Sequence, residues 1–414
     1  MGLSKKQWQI LAFPKTKYRA LICDGAVRSG KTSIMALSFV RWAMDDFNGY
    51  NFGICGKTVQ SAERNIINPL LTLRYLPKHG YRLHWSRSTN CLTVSRGRKS
   101  NRFYVFGGKD EASYTLIQGV TLAGVLLDEV ALMPRSFVEQ AMARCSVDGA
   151  RLWFNCNPES STHWFYEEWV QHPEKHNAMH LHFLMSDNPS LSKETLEWYE
   201  TTYSGVFYDR YVRGLWVVAE GRVYQQFERN PDRYLYKGPI NELDGIYYVS
   251  VDYGTVNPCS MGLWCVQPGR AIRVKEWYYE SKKTGEQKTD EEYYKALEEL
   301  TDGYYIRKVV VDPSAASFMT CIHRHGRFRE EPADNSVLDG IRVVSALLSA
   351  GMVLIHESCE DSIREFGLYR WDEKKQIDEV IKENDHAMDD IRYFCYTILA
   401  HEYRWDTWER KGGA

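Results

Sequence analysis

Residues 25–32, Gly25-Ala26-Val27-Arg28-Ser29-Gly30-Lys31-Thr32, have the types and spacing of a phosphate-binding loop. Glycines at such a turn let backbone N–H groups and a helix amino terminus face an anion. Gly25, Arg28, Ser29 and Gly30 would then line the phosphates. Lys31 would reach the β and γ oxygens, and the Thr32 hydroxyl would sit on Mg2+. The expected chemistry is hydrolysis of ATP. Residues 124–130, GVLLDEV, end an apolar run with two acids, which suits Asp128 as an ion-holding carboxylate and Glu129 as the group that polarises the attacking water.

Arg28 is either a guanidinium that stabilises transition-state charge, in its own subunit or a neighbour's, or a structural salt bridge. The run RLWFNCNP places Asn155 and Asn157 either beside the γ-phosphate, where they would couple its loss to movement, or in an ordinary Asn-Pro turn. Gln7, Gln9 and Arg19, upstream of the first apolar run, are candidates for adenine contacts.

A second group of acids has no phosphate loop near it. Asp252 ends VSVD, Asp312 follows VVV, and Asp389 lies in HAMDDIRY. Apolar strands do not end in lone charges without compensation, so acids converging from such strands and a packed helix suggest a divalent-cation site. Two ions there would clamp the attacking and leaving oxygens of a phosphodiester. His386 and Asp389 share a helix face three residues apart, whereas Asp390 points elsewhere and is read as capping or solvated. Taken singly, Asp252 and Asp312 also suit turns.

The elements that must position these residues form two blocks. Up to residue 220, short β-rich runs alternate with helical patterns, which predicts an α/β layout with a mainly parallel sheet. Residues 221–244 are polar and turn-rich and read as a linker. From 245 to 414 the order is three strands in a meander, helix, strand, helix, strand, helix, or βββαβαβα.

Lys and Arg total 52 against 54 Asp and Glu, so contact with nucleic acid must come from a local patch. Residues 64–109 contain ten basic side chains and no acid. Arg96, Arg98 and Lys99 within it are either a DNA-binding surface or a solvated face. The ten cysteines form no CxxC pair and read as reduced thiols. No run suits a signal peptide or a membrane span, which predicts a soluble, unprocessed chain without a membrane partner. His172, His176, His180 and His182 lack metal-ligand spacing and read as exposed imidazoles, and no GxSxG elbow supports a serine hydrolase.

Laid end to end, a phosphate-loop unit, a linker and an RNase H-like block resemble the large subunit of the terminase of tailed double-stranded DNA bacteriophages. The resemblance runs over nearly the whole chain. It is carried, in order, by GAVRSGKT, LIQGVTLAGVLLDEVALMP, GLWVVAEGRVY, VDYG, VVVDPS and HAMDDIRY. It implies an ATP-driven motor that moves double-stranded DNA through a portal into a procapsid, and a metal-dependent endonuclease that cuts concatemers. By similarity Lys31, Thr32, Asp128 and Glu129 match the ATPase positions, and Asp252, Asp312 and Asp389 match the nuclease carboxylates, with Mg2+ or Mn2+ as the metal. The family often carries another polar residue where this chain has Asn155-Cys156-Asn157. The implied partners are DNA, a small terminase subunit and the portal protein. The resemblance also implies a homo-oligomeric ring on the portal built from a chain monomeric in solution, working in the host cytoplasm and absent from the mature virion. The competing reading is a phosphate-loop helicase or translocase with an inert carboxy-terminal block.

Overall fold

A computed structural model describes residues 2–403 except 204, 374, 376 and 377. The chain divides into two compact units, one made of the chain up to Leu196 with Tyr208–Val218, the other of Glu197–Phe207 with the chain from Ala219 onward.

The first unit is built on strands β1 (Ala20–Gly25), β2 (Asn51–Gly56), β3 (Tyr81–Ser86), β4 (Cys91–Arg96), β5 (Lys99–Gly107), β6 (Gly124–Asp128), β7 (Arg151–Asn155) and β8 (Ala178–Phe183). Among the described residues they form one sheet in the order β3-β4-β5-β2-β6-β7-β1-β8. The six strands from β5 to β8 in that order run parallel, and β3 and β4 extend the edge as antiparallel strands. Parallel strands covered by helices on both faces need apolar residues at every position. β1 meets that need: Leu21 and Cys23 join the core on one face, and Ala20 and Ile22 join the core on the other. The helix Lys31–Asp46 buries Met35, Phe39 and Trp42 in the first core, and the helix Arg135–Ala143 buries Phe137, Val138 and Ala141 in the second. The loops at the carboxyl ends of β1, β6 and β7 therefore meet at one edge, where ligands of open parallel sheets bind.

The second unit has a mixed sheet of β9 (Leu235–Tyr236), β10 (Ile246–Asp252), β11 (Cys259–Gln267), β12 (Arg270–Tyr279), β13 (Ile306–Val311), β14 (Glu330–Pro332) and β15 (Val353–His356). Its order among the described residues is β14-β13-β10-β11-β12-β15-β9. The β10-β11-β12 meander is antiparallel and β13 joins β10 in parallel. The helices Asp290–Leu300 and Ala316–His325 cover one face through Tyr293, Leu297, Phe318 and Ile322. On the other face the helix His386–Phe394 lies against β10 and β11, with Phe394 stacked on Trp264 at 4.2 Å. This is the mixed α/β, RNase H-like arrangement of three strands followed by alternating helices and strands. The short β14, which the sequence pattern does not announce, extends the sheet beyond β13.

The reading of 221–244 as a linker needs correction. Within the second unit Phe227 is stacked on Phe366 at 4.2 Å, and β9 pairs in parallel with β15. Tyr224, Phe227 and Tyr234 are all buried. Three spaced aromatic rings secure this segment although the residues between them are polar.

Candidate phosphate and metal sites

β1 ends at Gly25 (φ +119°), where a Cβ would lie 2.0 Å from the Phe183 carbonyl oxygen, so only glycine fits. The chain then passes through Arg28 (φ 56°) and Gly30 (φ 79°) in left-handed conformations before the helix begins at Lys31. That helix starts without a side-chain cap, which leaves its first N–H groups turned to the loop.

Lys31 is buried, and its ammonium donates to the carbonyls of Gly25 (2.9 Å) and Ala26 (2.7 Å), to Ser29 Oγ (3.2 Å) and to Asn157 Oδ1 (3.2 Å). These partners are all neutral. Burial pulls the ammonium down to about 8, while the charges of nearby groups such as Cys156 and Asp24 oppose the fall. A buried cation among carbonyls at a helix amino terminus fits a phosphate, which would restore its charge.

Asp128 closes β6 beside Asn155 at the end of β7, the two being partners in register. Asn155 Nδ2 donates to Thr32 Oγ1 (2.9 Å) and to Asp128 Oδ1, while Asn65 Nδ2 donates to Asp128 Oδ2 (3.2 Å). Burial raises Asp128 above its usual value despite those hydrogen bonds. Asn155 Oδ1 is buried with no hydrogen-bond partner among the described residues. A hydroxyl and a carboxylate held together by one amide, next to an orphaned oxygen, make a donor set that fits Mg2+. Glu129 follows in a left-handed conformation (φ 59°), which for a non-glycine costs about 1–3 kcal/mol and is found where function holds a side chain in place.

The two asparagines therefore have different neighbours, the ion-holding pair for Asn155 and the lysine for Asn157. Arg28 is exposed, and its carbonyl accepts from Asn188 Nδ2 at 2.6 Å. Gln7 is buried with its amide nitrogen against Gly30, and Gln9 is half-buried. Arg19 precedes the far end of β1, roughly 20 Å of strand from the loop, and donates to the Cys145 carbonyl. That distance removes Arg19 from the adenine candidates.

The histidine reading is also corrected. His180 and His182, two apart on β8, share one face and both bond Asp24, so they are half-buried partners of that acid and not free surface imidazoles. Of the basic trio, Arg96 pairs with Asp45 (3.1 Å), and Lys99 donates to the Asp45 carbonyl (2.6 Å) at the end of the helix Lys31–Asp46. Arg98 stands exposed at the β4–β5 turn.

In the second unit, Asp252 at the end of β10, Asp312 just past β13 and Asp389 on the helix His386–Phe394 line one open cavity of about 820 Å³. Asp252 is pushed up to about 7, first by burial and then by the charges of Asp389 and Asp312, against a hydrogen bond from His386. His386 Nδ1 lies 2.8 Å from Asp252 Oδ2; burial pulls the imidazole down, but this bond together with the charges of Asp252, Asp385 and Glu365 raises it. Asp389 is held by Arg392 (3.0 Å) and Lys382 (3.1 Å). Two carboxylates that raise the proton affinity of a third, around open space, fit divalent cations.

The expectation that Asp390 caps or is solvated does not hold. It is fully buried, accepting from Arg273 (2.9 Å), Ser250 (2.9 Å) and Ser260 on the sheet side of the helix. Adjacent helix positions lie about 100° apart, so one acid faces the cavity and the other the core.

A phosphate-loop α/β unit and an RNase H-like unit with an acidic cavity define a class of nucleotide-dependent, nucleic-acid-processing proteins. The family profile "Terminase large subunit, T4likevirus-type, N-terminal" matches residues 22–231. The large terminase of a thermophilic bacteriophage is 47% identical, with 96% of this chain and 100% of that one covered at a TM-score of 0.91. The same phage protein in complex with ATP-gamma-S is 46% identical over 96% of this chain and all of that one, at a TM-score of 0.89. The large terminase subunit of Escherichia phage T5 is 22% identical over 235 residues, 54% of this chain and 52% of that protein. The chain thus spans about half the length of this curated relative. It belongs to the family of bacteriophage terminase large subunits.

Proposed function

We propose that this chain is a DNA-packaging motor that hydrolyses ATP to move double-stranded DNA into a procapsid, and that it cuts concatemeric DNA by a two-metal-ion endonuclease mechanism. The observation that carries the reading is one chain with two differently charged cradles, a buried cation at the Lys31 loop and converging carboxylates at Asp252, Asp312 and Asp389. The thermophilic-phage relative in complex with ATP-gamma-S supports the nucleotide half.

In this reading the loop N–H groups and Lys31 hold the β- and γ-phosphates, and Arg28 stabilises charge from the open side. Thr32 and Asp128, joined by Asn155, bind the ion, and Glu129 orients the attacking water. Asn157, bonded to Lys31, is placed to respond when the γ-phosphate leaves. In the second unit Asp252, Asp312 and Asp389 bind the metals, His386 orients Asp252, and Arg392 orients Asp389. Bound divalent ions would supply charge neutralisation at the ATP phosphates and, at the acidic cavity, an activated water and a stabilised leaving oxygen. Within the basic edge, Arg98 is the residue of its trio best placed for a sequence-independent grip on DNA, because Arg96 and Lys99 hold a helix end. A small subunit that recognises DNA, a portal as docking partner, a ring of copies and action in the host cytoplasm complete the proposal.

The test uses the full chain in two assays, phosphate release with DNA present and plasmid cutting with Mg2+ or Mn2+. Lys31→Ala should abolish the first and spare the second, and Asp252→Ala should do the reverse. ATP turnover without metal-dependent cutting under any condition would return the chain to a translocase with an inert second unit.

A further inference from the structure

Beneath the phosphate loop lies a group that the ATPase chemistry does not use. Asp24 is 1% exposed and, among the described residues, takes no Lys or Arg partner within hydrogen-bond reach. Its Oδ1 accepts from His180 Nε2 (2.7 Å) and His182 Nδ1 (3.1 Å), and its Oδ2 accepts from Trp216 Nε1 (2.7 Å). Burial would raise its proton affinity, but the bonds from His180 and His182 outweigh this and hold it well below the usual carboxylate range. Three donors from two separate elements make a charged, directional anchor.

The same two elements hold the backbone that follows. Ala26 N donates to the Phe183 carbonyl on β8 (2.8 Å), and Val27 N donates to the Tyr211 carbonyl (3.0 Å). Gly214 (φ +71°) passes so close that a Cβ there would lie 2.9 Å from Ala26 N. The segment Tyr208–Val218 is itself tied down, because Arg210 donates to the Val217 carbonyl and Trp216 stacks on Tyr166 at 4.9 Å. This segment carries the start of GLWVVAEG and is the last stretch of the first unit, after which the chain stays in the second. The base of the phosphate loop and the exit of the unit thus share one carboxylate.

We propose that Asp24 is a positioning residue that fixes the base of the phosphate loop and, through the Trp216 indole, passes the loop's nucleotide state to the exit segment Tyr208–Val218. The inference rests on the reading of the loop as an ATP site. Phosphate binding at Lys31 pulls on the few residues between it and Asp24. With one oxygen of Asp24 on β8 and the other on Trp216, displacement of the carboxylate moves the indole.

The test labels the full chain with 5-fluorotryptophan and reads fluorine NMR, assigning the residue 216 resonance among thirteen tryptophans by its loss in Trp216→Phe. The probe is ATPγS with Mg2+, and affinity is measured in the same samples. The residue 216 resonance should shift on ATPγS binding. In Asp24→Asn, ATPγS affinity should stay within about threefold while the shift disappears, and kcat for phosphate release should fall roughly tenfold with KM nearly unchanged. If Asp24→Asn does not fold, Trp216→Phe replaces it and should show the same fall in kcat at constant KM. A resonance that ignores bound ATPγS, a shift that survives Asp24→Asn, or a variant that loses thermal stability but keeps kcat would overturn the proposal. Failure of the unsubstituted chain to bind ATPγS would instead overturn the nucleotide reading beneath it.

Discussion

The two cradles solve opposite electrostatic problems. Around Lys31 a cation is buried among neutral acceptors and the site favours an anion, whereas around Asp252 carboxylates crowd together and the site favours cations. The first is built mainly from one contiguous loop, with Asn157 reaching Lys31 from outside it; the second is built from strand ends and a helix up to 137 positions apart, the separation from 252 to 389. Sites that favour ligands of opposite charge should respond oppositely to pH and to ligand.

The largest effects should be reciprocal. Lys31→Ala should lower ATP turnover by about a thousandfold or more, and Asp389→Ala should lower plasmid cutting by a similar factor, since each removes a group that faces developing charge. Each variant should leave the other reaction within about twofold; a joint loss would mean the two chemistries share a step. Next in size, the neighbouring acids should separate by type. Asp390→Ala should destabilise the second unit by about 3–5 kcal/mol because it strands buried Arg273, and calorimetry should show a lower melting temperature without metal. Asp389→Ala also leaves a buried guanidinium, Arg392, without its carboxylate, but it removes a charge that crowds Asp252 and should therefore cost less stability.

The pH response follows from Asp252. Its folded value of about 7 lies above its ordinary 3.8, so between these values the folded state holds a proton that the unfolded chain has lost. In metal-free buffer, stability should therefore fall as pH rises from about 4 to about 7. Asp252→Asn should melt several degrees above the unsubstituted chain at pH 8, and the two should converge near pH 4. Mn2+ affinity, by contrast, should fall as pH drops below 7, because the ion needs the carboxylate. Equal melting curves at pH 8 would show that burial does not penalise this acid.

The smallest effect concerns the basic edge. Arg98→Glu should flatten the salt dependence of DNA binding by about one or two counterions, measured by fluorescence anisotropy at several salt concentrations. Arg96→Glu should mainly loosen the end of the helix Lys31–Asp46, because it repels Asp45.

The same contrast explains how much is legible in the chain. The phosphate loop is a local motif whose glycines announce their backbone shape, and Asp128 ends an unbroken apolar strand. Both can be placed without knowing the fold. Asp252, Asp312 and Asp389 can be nominated from strand order, but only the fold shows that they share a cavity. Asn65 and Trp216 carry no local signal: their roles arise from contacts 63 and 192 positions away. His180 and His182 differ from expectation because imidazoles two apart on a strand share a face, and that face meets the buried Asp24. The segment 221–244 resembles a linker in sequence because its polar residues outnumber the three rings that anchor it.

The central claim is that one chain carries two separate cation-dependent phosphate centres. Anomalous diffraction from crystals of the full chain grown with Mn2+ and ATPγS tests it directly. The account predicts manganese peaks among Asp252, Asp312 and Asp389 and another beside Thr32 and Asp128 with nucleotide at Lys31. Manganese with nucleotide at the loop but none at the three aspartates, in crystals where that cavity is open to solvent, would contradict it.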